Sequence, residues 1–154
     1  MSAQRGSWLV AALLLASAGA VHAATTEPPD PCALLSPADV GSAPGGGFGA
    51  PAKTVAPRPY MNTVQGTDCR YEAGHSELLF RIYFDPSRAD ATTLFAKLKM
   101  FYSPPRPVRG VGDEAYFDRS HGLHVRKGNV RYFPEGPENE SKVTALAQLV
   151  AGRL

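Results

Sequence analysis

Between Glu77 and Phe84 the chain reads Glu-Leu-Leu-Phe-Arg-Ile-Tyr-Phe, and its large apolar groups Leu78, Phe80, Ile82 and Phe84 share one parity. Leu79, Arg81 and Tyr83 share the other. A pleated strand sends alternate side chains to opposite faces, so the pattern predicts a central strand with one face in a core and a mixed face toward solvent or a ligand. Thr67 to Glu72 also reads as a strand, and Ala73-Gly74-His75 between the two predicts a hairpin turn. Lys53 to Pro59 is a weaker edge strand, because Pro57 and Pro59 have no amide hydrogen to donate to a ladder.

After Asp85-Pro86 the period changes. Leu94, Phe95, Leu98, Phe101 and Tyr102 share one helical face and predict a helix over 86–102, capped by Asp85. Ser103-Pro104-Pro105-Arg106-Pro107 ends it as a stiff extended link. Short strands are predicted at 115–118, 122–127 and 129–133, with turns at Ser120-His121 and Gly128-Asn129, as in an antiparallel meander. Past a loop at 134–137, Val143, Leu146, Ala147, Val150 and Leu154 recur at helical spacing and predict a helix over 138–154. Upstream, Asp30-Pro31 and Ser36-Pro37-Ala38-Asp39 each place a capping oxygen before a proline, the signature of a short helix start. The segment 41–51 is rich in glycine, matches no phosphate loop and reads as a mobile loop. The predicted class is α+β: a two-layer sandwich with an antiparallel sheet of about five strands, two longer helices on one face and a short N-terminal helix.

The first residues change the picture of where this domain works. Arg5 precedes an apolar run from Trp8 to about Ala20, and Val21-His22-Ala23 has small residues where a signal peptidase needs them. Residues 1–23 are therefore expected to be a cleaved export signal, 24–30 a flexible lead-in and 31–154 a single domain, periplasmic or secreted. Cys32 lies beyond a polar, proline-containing spacer and lacks the context of a lipid-modification box, so no stable membrane anchor is expected. Cys32 and Cys69 are the only cysteines, and in an oxidising compartment they are expected to form one disulfide, worth about 3 to 4 kcal/mol by loop closure. A metal-bound thiolate pair or a redox pair are the alternatives, although no Cys-x-x-Cys is present.

The formal charge is +2, and Arg5 leaves with the signal, so the mature chain is nearly neutral and has no whole-molecule attraction to nucleic acid or anionic membrane. Local clustering matters more. If Tyr71, Leu78, Ile82, Leu123, Val125, Val130 and Tyr132 face the helices, alternation puts Arg70, Arg81, Arg126 and Arg131 on the opposite, open face beside Leu79, Tyr83, His124 and Phe133. Arg70, Arg81, Tyr83, Arg126 and Arg131 are the candidate binding residues, suited to an anionic ligand or an acidic protein surface. Cross-strand pairing with Glu72 and Glu77 is the plainer alternative.

Catalytic candidates are thinner. Asp113 and Glu114 are adjacent, so in a strand they point to opposite faces rather than forming an acid–base pair. His75, His121 and His124, with Asp118 nearby, are candidate metal ligands, but the last two histidines flank a predicted turn that splays them. No catalytic motif, metal set or cofactor motif is identified.

The order of Asp30-Pro31-Cys32-Ala33-Leu34-Leu35-Ser36-Pro37-Ala38-Asp39-Val40, Cys69-Arg70-Tyr71, Gly110-Val111-Gly112-Asp113-Glu114-Ala115-Tyr116-Phe117, Leu123-His124-Val125-Arg126-Lys127-Gly128-Asn129 and a closing helix resembles a family of small exported proteins. These are mostly actinobacterial lipoproteins with a domain of unknown function. The resemblance implies a disulfide between the two cysteine segments, an α+β fold and no established enzymatic activity. This chain departs from it in lacking a lipid-anchoring cysteine and in the glycine-rich insert after Val40.

The functional expectation is a non-enzymatic extracytoplasmic binding module. Its partner would be an unknown envelope protein or an anionic ligand, engaged by the open sheet face or by the loops at 45–49 and 104–112. The alternatives are an envelope hydrolase or isomerase using Asp113, Glu114 or a histidine, and a weak metal carrier. Export argues against nucleic acid as the partner.

Overall fold

The computed structural model describes residues 27–43, 46–56, 64–136 and 139–154. The expected export signal and the proline pair at Pro57 and Pro59 lie outside them.

Four helices and two sheets make up the described chain. Helices α1 (Pro31–Leu34) and α2 (Pro37–Val40) begin where the sequence predicts: the Asp30 side chain accepts from the Cys32 N–H, and Ser36 and Asp39 form a reciprocal capping box. Strands β1 (Ser42–Ala43) and β2 (Gly46–Gly47) pair within the glycine-rich segment, where the sequence predicts a mobile loop. The main sheet has seven strands, β3 (Ala52–Val55), β4 (Gly66–Ala73), β5 (Ser76–Phe84), β6 (Arg106–Val108), β7 (Glu114–Phe117), β8 (Leu123–Lys127) and β9 (Val130–Glu135). Every pairing is antiparallel, in the order β3-β4-β5-β9-β8-β7-β6. Helix α3 (Arg88–Phe101) follows β5, and α4 (Glu140–Arg153) follows β9.

The weak edge strand expected from Lys53 is present as β3, and the sheet is wider than predicted because its other edge, β6, falls in the segment expected to be an extended link. Pro107 sits in β6, where edge pairing with β7 alone tolerates the missing amide hydrogen. Pro134 likewise does not end β9, which continues to Glu135 opposite Leu79. Ser87, not Asp85, caps α3: its hydroxyl accepts from the Asp90 N–H, while Asp85 is fully buried beneath the sheet's mixed face.

The apolar parity holds. Tyr71, Leu78, Phe80, Ile82, Leu123, Val125, Val130 and Tyr132 join one core with Leu35 and Val40 from the N-terminal segment and Val143, Leu146, Ala147 and Val150 of α4. Polar tips inside it find carbonyls: Tyr71 Oη donates to Leu35 O at 2.6 Å and Tyr132 Oη to Ala147 O at 2.8 Å. The Cys32–Cys69 disulfide ties α1 to β4 beside this core.

The placement of the helices is corrected. Leu98 of α3 packs with Tyr83 and Phe133, and Phe95 packs edge-on against Tyr116 at 5.1 Å. These sheet residues have the parity opposite to Ile82 and Tyr132. The two longer helices therefore lie on opposite faces of the sheet, and the mixed face is roofed over part of its width. Gly66 makes room for this second packing, since a Cβ there would meet the Tyr83 ring at 2.6 Å.

Candidate functional site

Helix α3 divides the mixed face into a dry half over β7, β8 and β9 and a wet half over β3, β4 and the start of β5. The predicted arginines fall on both sides of that boundary. Arg131 is 0 % exposed and donates to Asp85, also 0 % exposed, through Nε at 2.5 Å and Nη2 at 2.9 Å. Its guanidinium lies 5.1 Å from the centre of the buried Tyr83 ring. Arg126 is buried, donating through Nη1 to Asp113 at 2.9 Å. The expectation of four accessible guanidiniums is thus corrected: Arg126 and Arg131 are buried, each holding a carboxylate, and Tyr83 is buried beside Arg131. Arg81 is 18 % exposed and bidentate on Asp68 at 2.8 and 2.9 Å. Only Arg70, paired with Glu77 at 3.1 Å, is well exposed.

Asp113 is a junction, not a free acid. It accepts from Arg126, Arg88 and the Gly128 N–H. Burial alone would raise its pKa, but that backbone hydrogen bond and the two arginines hold it below the ordinary carboxylate value. Glu114 accepts from Lys99 at 2.8 Å. The three histidines do not converge: His75 is exposed at the β4–β5 turn, His121 contacts Glu140 at 2.6 Å and His124 lies in the sheet. Among the described residues no group of three histidine, cysteine or acidic side chains is placed to hold a metal.

Where α3 ends, a cavity of about 70 Å³ lies between the helix and the sheet. Tyr83, Leu98, Tyr102 and Phe133 give it apolar and aromatic walls. Its polar groups come from three strands: Arg81 of β5, His124 of β8 and Glu135 of β9. His124 is held on all sides. Tyr116 stacks on it at 4.7 Å, Phe133 meets it edge-on at 4.8 Å, and Tyr102 lies 5.0 Å away.

The protonation of this histidine follows from its partners. Asp118 Oδ1 accepts the N–H groups of Ser120 and Gly122, and Oδ2 lies 2.8 Å from His124 Nε2. Burial would raise the Asp118 pKa, but His124 and those two amides bring it below its ordinary value, so it is a carboxylate at neutral pH. Burial lowers the His124 pKa, against the pull of Asp118, so the ring is neutral. A neutral ring beside a carboxylate donates from Nε2, which leaves Nδ1 as an acceptor. That Nδ1 is buried and has no hydrogen-bond partner among the described residues.

Glu135 also keeps its acceptors. Among the described residues it makes no hydrogen bond or ion pair; the protein around this exposed side chain displaces part of its solvent and raises its pKa, opposed by Arg81. Neither Glu135 nor Tyr102 stood out in the sequence as a site residue. The alternation Arg131, Phe133, Glu135 was the available signal, hidden by reading Pro134 as the start of a loop. Beside the cavity, Phe101 is 55 % exposed and its ring abuts Tyr102 at 5.1 Å.

No family model, curated protein or solved structure matches this chain.

Proposed function

We propose that the chain is a non-enzymatic binding module that works outside the cytoplasm, and that its ligand or partner docks where α3 ends. The observation that carries this reading is the buried, unpartnered Nδ1 of His124, a residue whose ring helps line the cavity. A buried polar atom without a partner costs about 1–3 kcal/mol, and a ligand that satisfies it recovers that energy. Exposed Phe101 beside the opening adds apolar contact area. Disulfide bonding fits an oxidising compartment, and no described helix is long and apolar enough to cross a membrane.

The anionic-ligand form of this idea is left with Arg70 and Arg81, both already facing carboxylates. One observation favours a second reading, a hydrolase or isomerase with His124 as general base: Asp118 orients the ring while the other nitrogen stays free. Among the described residues, Arg81 is the one cation on the cavity wall and is engaged by Asp68, which leaves that reading without a described side-chain cation to stabilise developing negative charge.

Site-specific photocrosslinking tests the docking site. A crosslinker at Phe101 is expected to trap a partner in the exporting cell, whereas one at Leu149 of α4, across the sheet, is not. Equal yields from both positions would refute the assignment of the α3 end.

A further inference from the structure

The cavity wall is asymmetric in what it offers a guest. Its two unengaged groups, His124 Nδ1 and the Glu135 carboxylate, are both acceptors. Its cation, Arg81, donates two hydrogen bonds to Asp68, so that pair is close to neutral. The charge balance around the opening leans negative: Glu135 has no hydrogen-bonded cation and is only partly offset by Arg81, which Asp68 already holds, and Asp118 faces a neutral imidazole and backbone amides. The remaining wall is ring surface, from Tyr83, Tyr102 and Phe133. Aromatic faces attract a cation and do nothing comparable for an anion. An incoming carboxylate or phosphate would meet two acceptors and a negative field, whereas a donor with positive charge would satisfy all three features.

Resting on the binding-module reading above, we infer that the cavity takes the primary ammonium group of an alkylamine, with one N–H donated to His124 Nδ1 and another to Glu135. The space, about 70 Å³, admits the ammonium and its first carbons, and leaves the rest of the alkyl chain to run out past Tyr102 toward Phe101. A lysyl side chain of a partner and a free amine share this chemistry.

The test uses the mature, oxidised chain and nitrogen NMR of the His124 ring during titration with n-butylammonium and, separately, butyrate, which matches it in chain length. Butylammonium is expected to move the His124 Nδ1 resonance and the Tyr102 ring signals, and butyrate to leave them in place. Glu135→Gln, a change at an exposed carboxyl, is expected to weaken the butylammonium response by about tenfold, the loss of one charge-assisted hydrogen bond. A blocked lysine amide separates the sources: a response equal to butylammonium points to a lysyl side chain, and a response only to the free amine points to a small metabolite. A response to butyrate equal to or above that to butylammonium would overturn the ammonium assignment while leaving the docking site intact. No response to either, together with no crosslinking from Phe101, would remove both. An undiminished response in Glu135→Gln would also overturn the inference.

Discussion

Replacing Arg131 with Met tests the claim that most of the mixed face is structural. The guanidinium and its Asp85 partner are both wholly buried and joined by two hydrogen bonds, so removing the cation strands a carboxylate in the interior. Breaking such a pair from one side costs about 3–5 kcal/mol. The lost stacking on Tyr83, 5.1 Å from the guanidinium carbon, adds to this, while methionine refills much of the volume. With unfolding entropy near 2.1 cal/mol/K for each of roughly 120 folded residues, 1 kcal/mol corresponds to about 4 °C, so the midpoint should fall by about 12–20 °C. Arg131→Met with Asp85→Leu removes the stranded charge and should recover at least about half of that loss. Calorimetry of the wild type, both single variants and the double variant closes the cycle. A single-variant loss under about 1 kcal/mol, or a double variant as unstable as the two losses summed, would refute the reasoning and return Arg131 to the list of accessible cations.

Three further outcomes follow from separate parts of the fold. Cys32→Ser with Cys69→Ser opens a loop spanning 37 positions and should cost about 4 kcal/mol in urea unfolding; a loss below about 1 kcal/mol would mean the bridge closes little chain entropy. Gly112→Ala puts a Cβ 2.6 Å from the Arg126 carbonyl oxygen at a φ of 59°, and should cost about 1–3 kcal/mol; an unchanged urea midpoint would exclude this tight approach. Burial depresses the folded-state pKa of His124 below the ordinary 6.5, so the unfolded chain binds more protons as pH falls through 6.5, and the stability His124 contributes is present above that value and lost below it. Glu135, raised by burial, has the opposite slope in the window above its ordinary 4.5. His124→Gln should therefore lose less stability than the wild type between pH 7.5 and 5.5, and equal slopes would argue against a neutral buried ring.

Parity was the legible part of this fold. Alternation along β5 and β9 was enough to sort Ile82 and Tyr132 from Arg81, Tyr83 and Phe133, and the helical spacing at Val143, Leu146 and Val150 marked the apolar side of α4. The spacing on α3 was less informative. Phe95 and Leu98 are buried, but Phe101 belongs to the same predicted stripe and is exposed, because the covered stripe runs through Ala91, Phe95, Leu98 and Tyr102 and passes it by. Strand β6 and the end of β9 were illegible for a different reason. Proline lowers the expectation of a strand, yet an edge position or an unpaired register makes its missing amide hydrogen harmless, as at Pro107 and Pro134.

The roof over the mixed face was the consequential omission, and it has a physical cause. An alternating strand states only that two faces differ; it does not state which neighbour covers each. Arginine on the polar parity looks like a solvent residue, because buried cations are rare unless paired. The partners here come from places that pattern reading assigns to other work: Asp85 from a presumed helix cap, Asp113 from a presumed turn. Once those acids are matched to Arg131 and Arg126, the dry half of the face is nearly neutral and can carry Phe95, Leu98 and Tyr102 against it. The same matching decides the character of the cavity. Each arginine near it is consumed by an acid, whereas Glu135 and the Asp118–His124 pair have no cation of their own among the described residues. A face rich in guanidinium groups thus presents an acidic, acceptor-lined opening, and it is this reversal of sign that an alkylammonium ion and its carboxylate counterpart would detect.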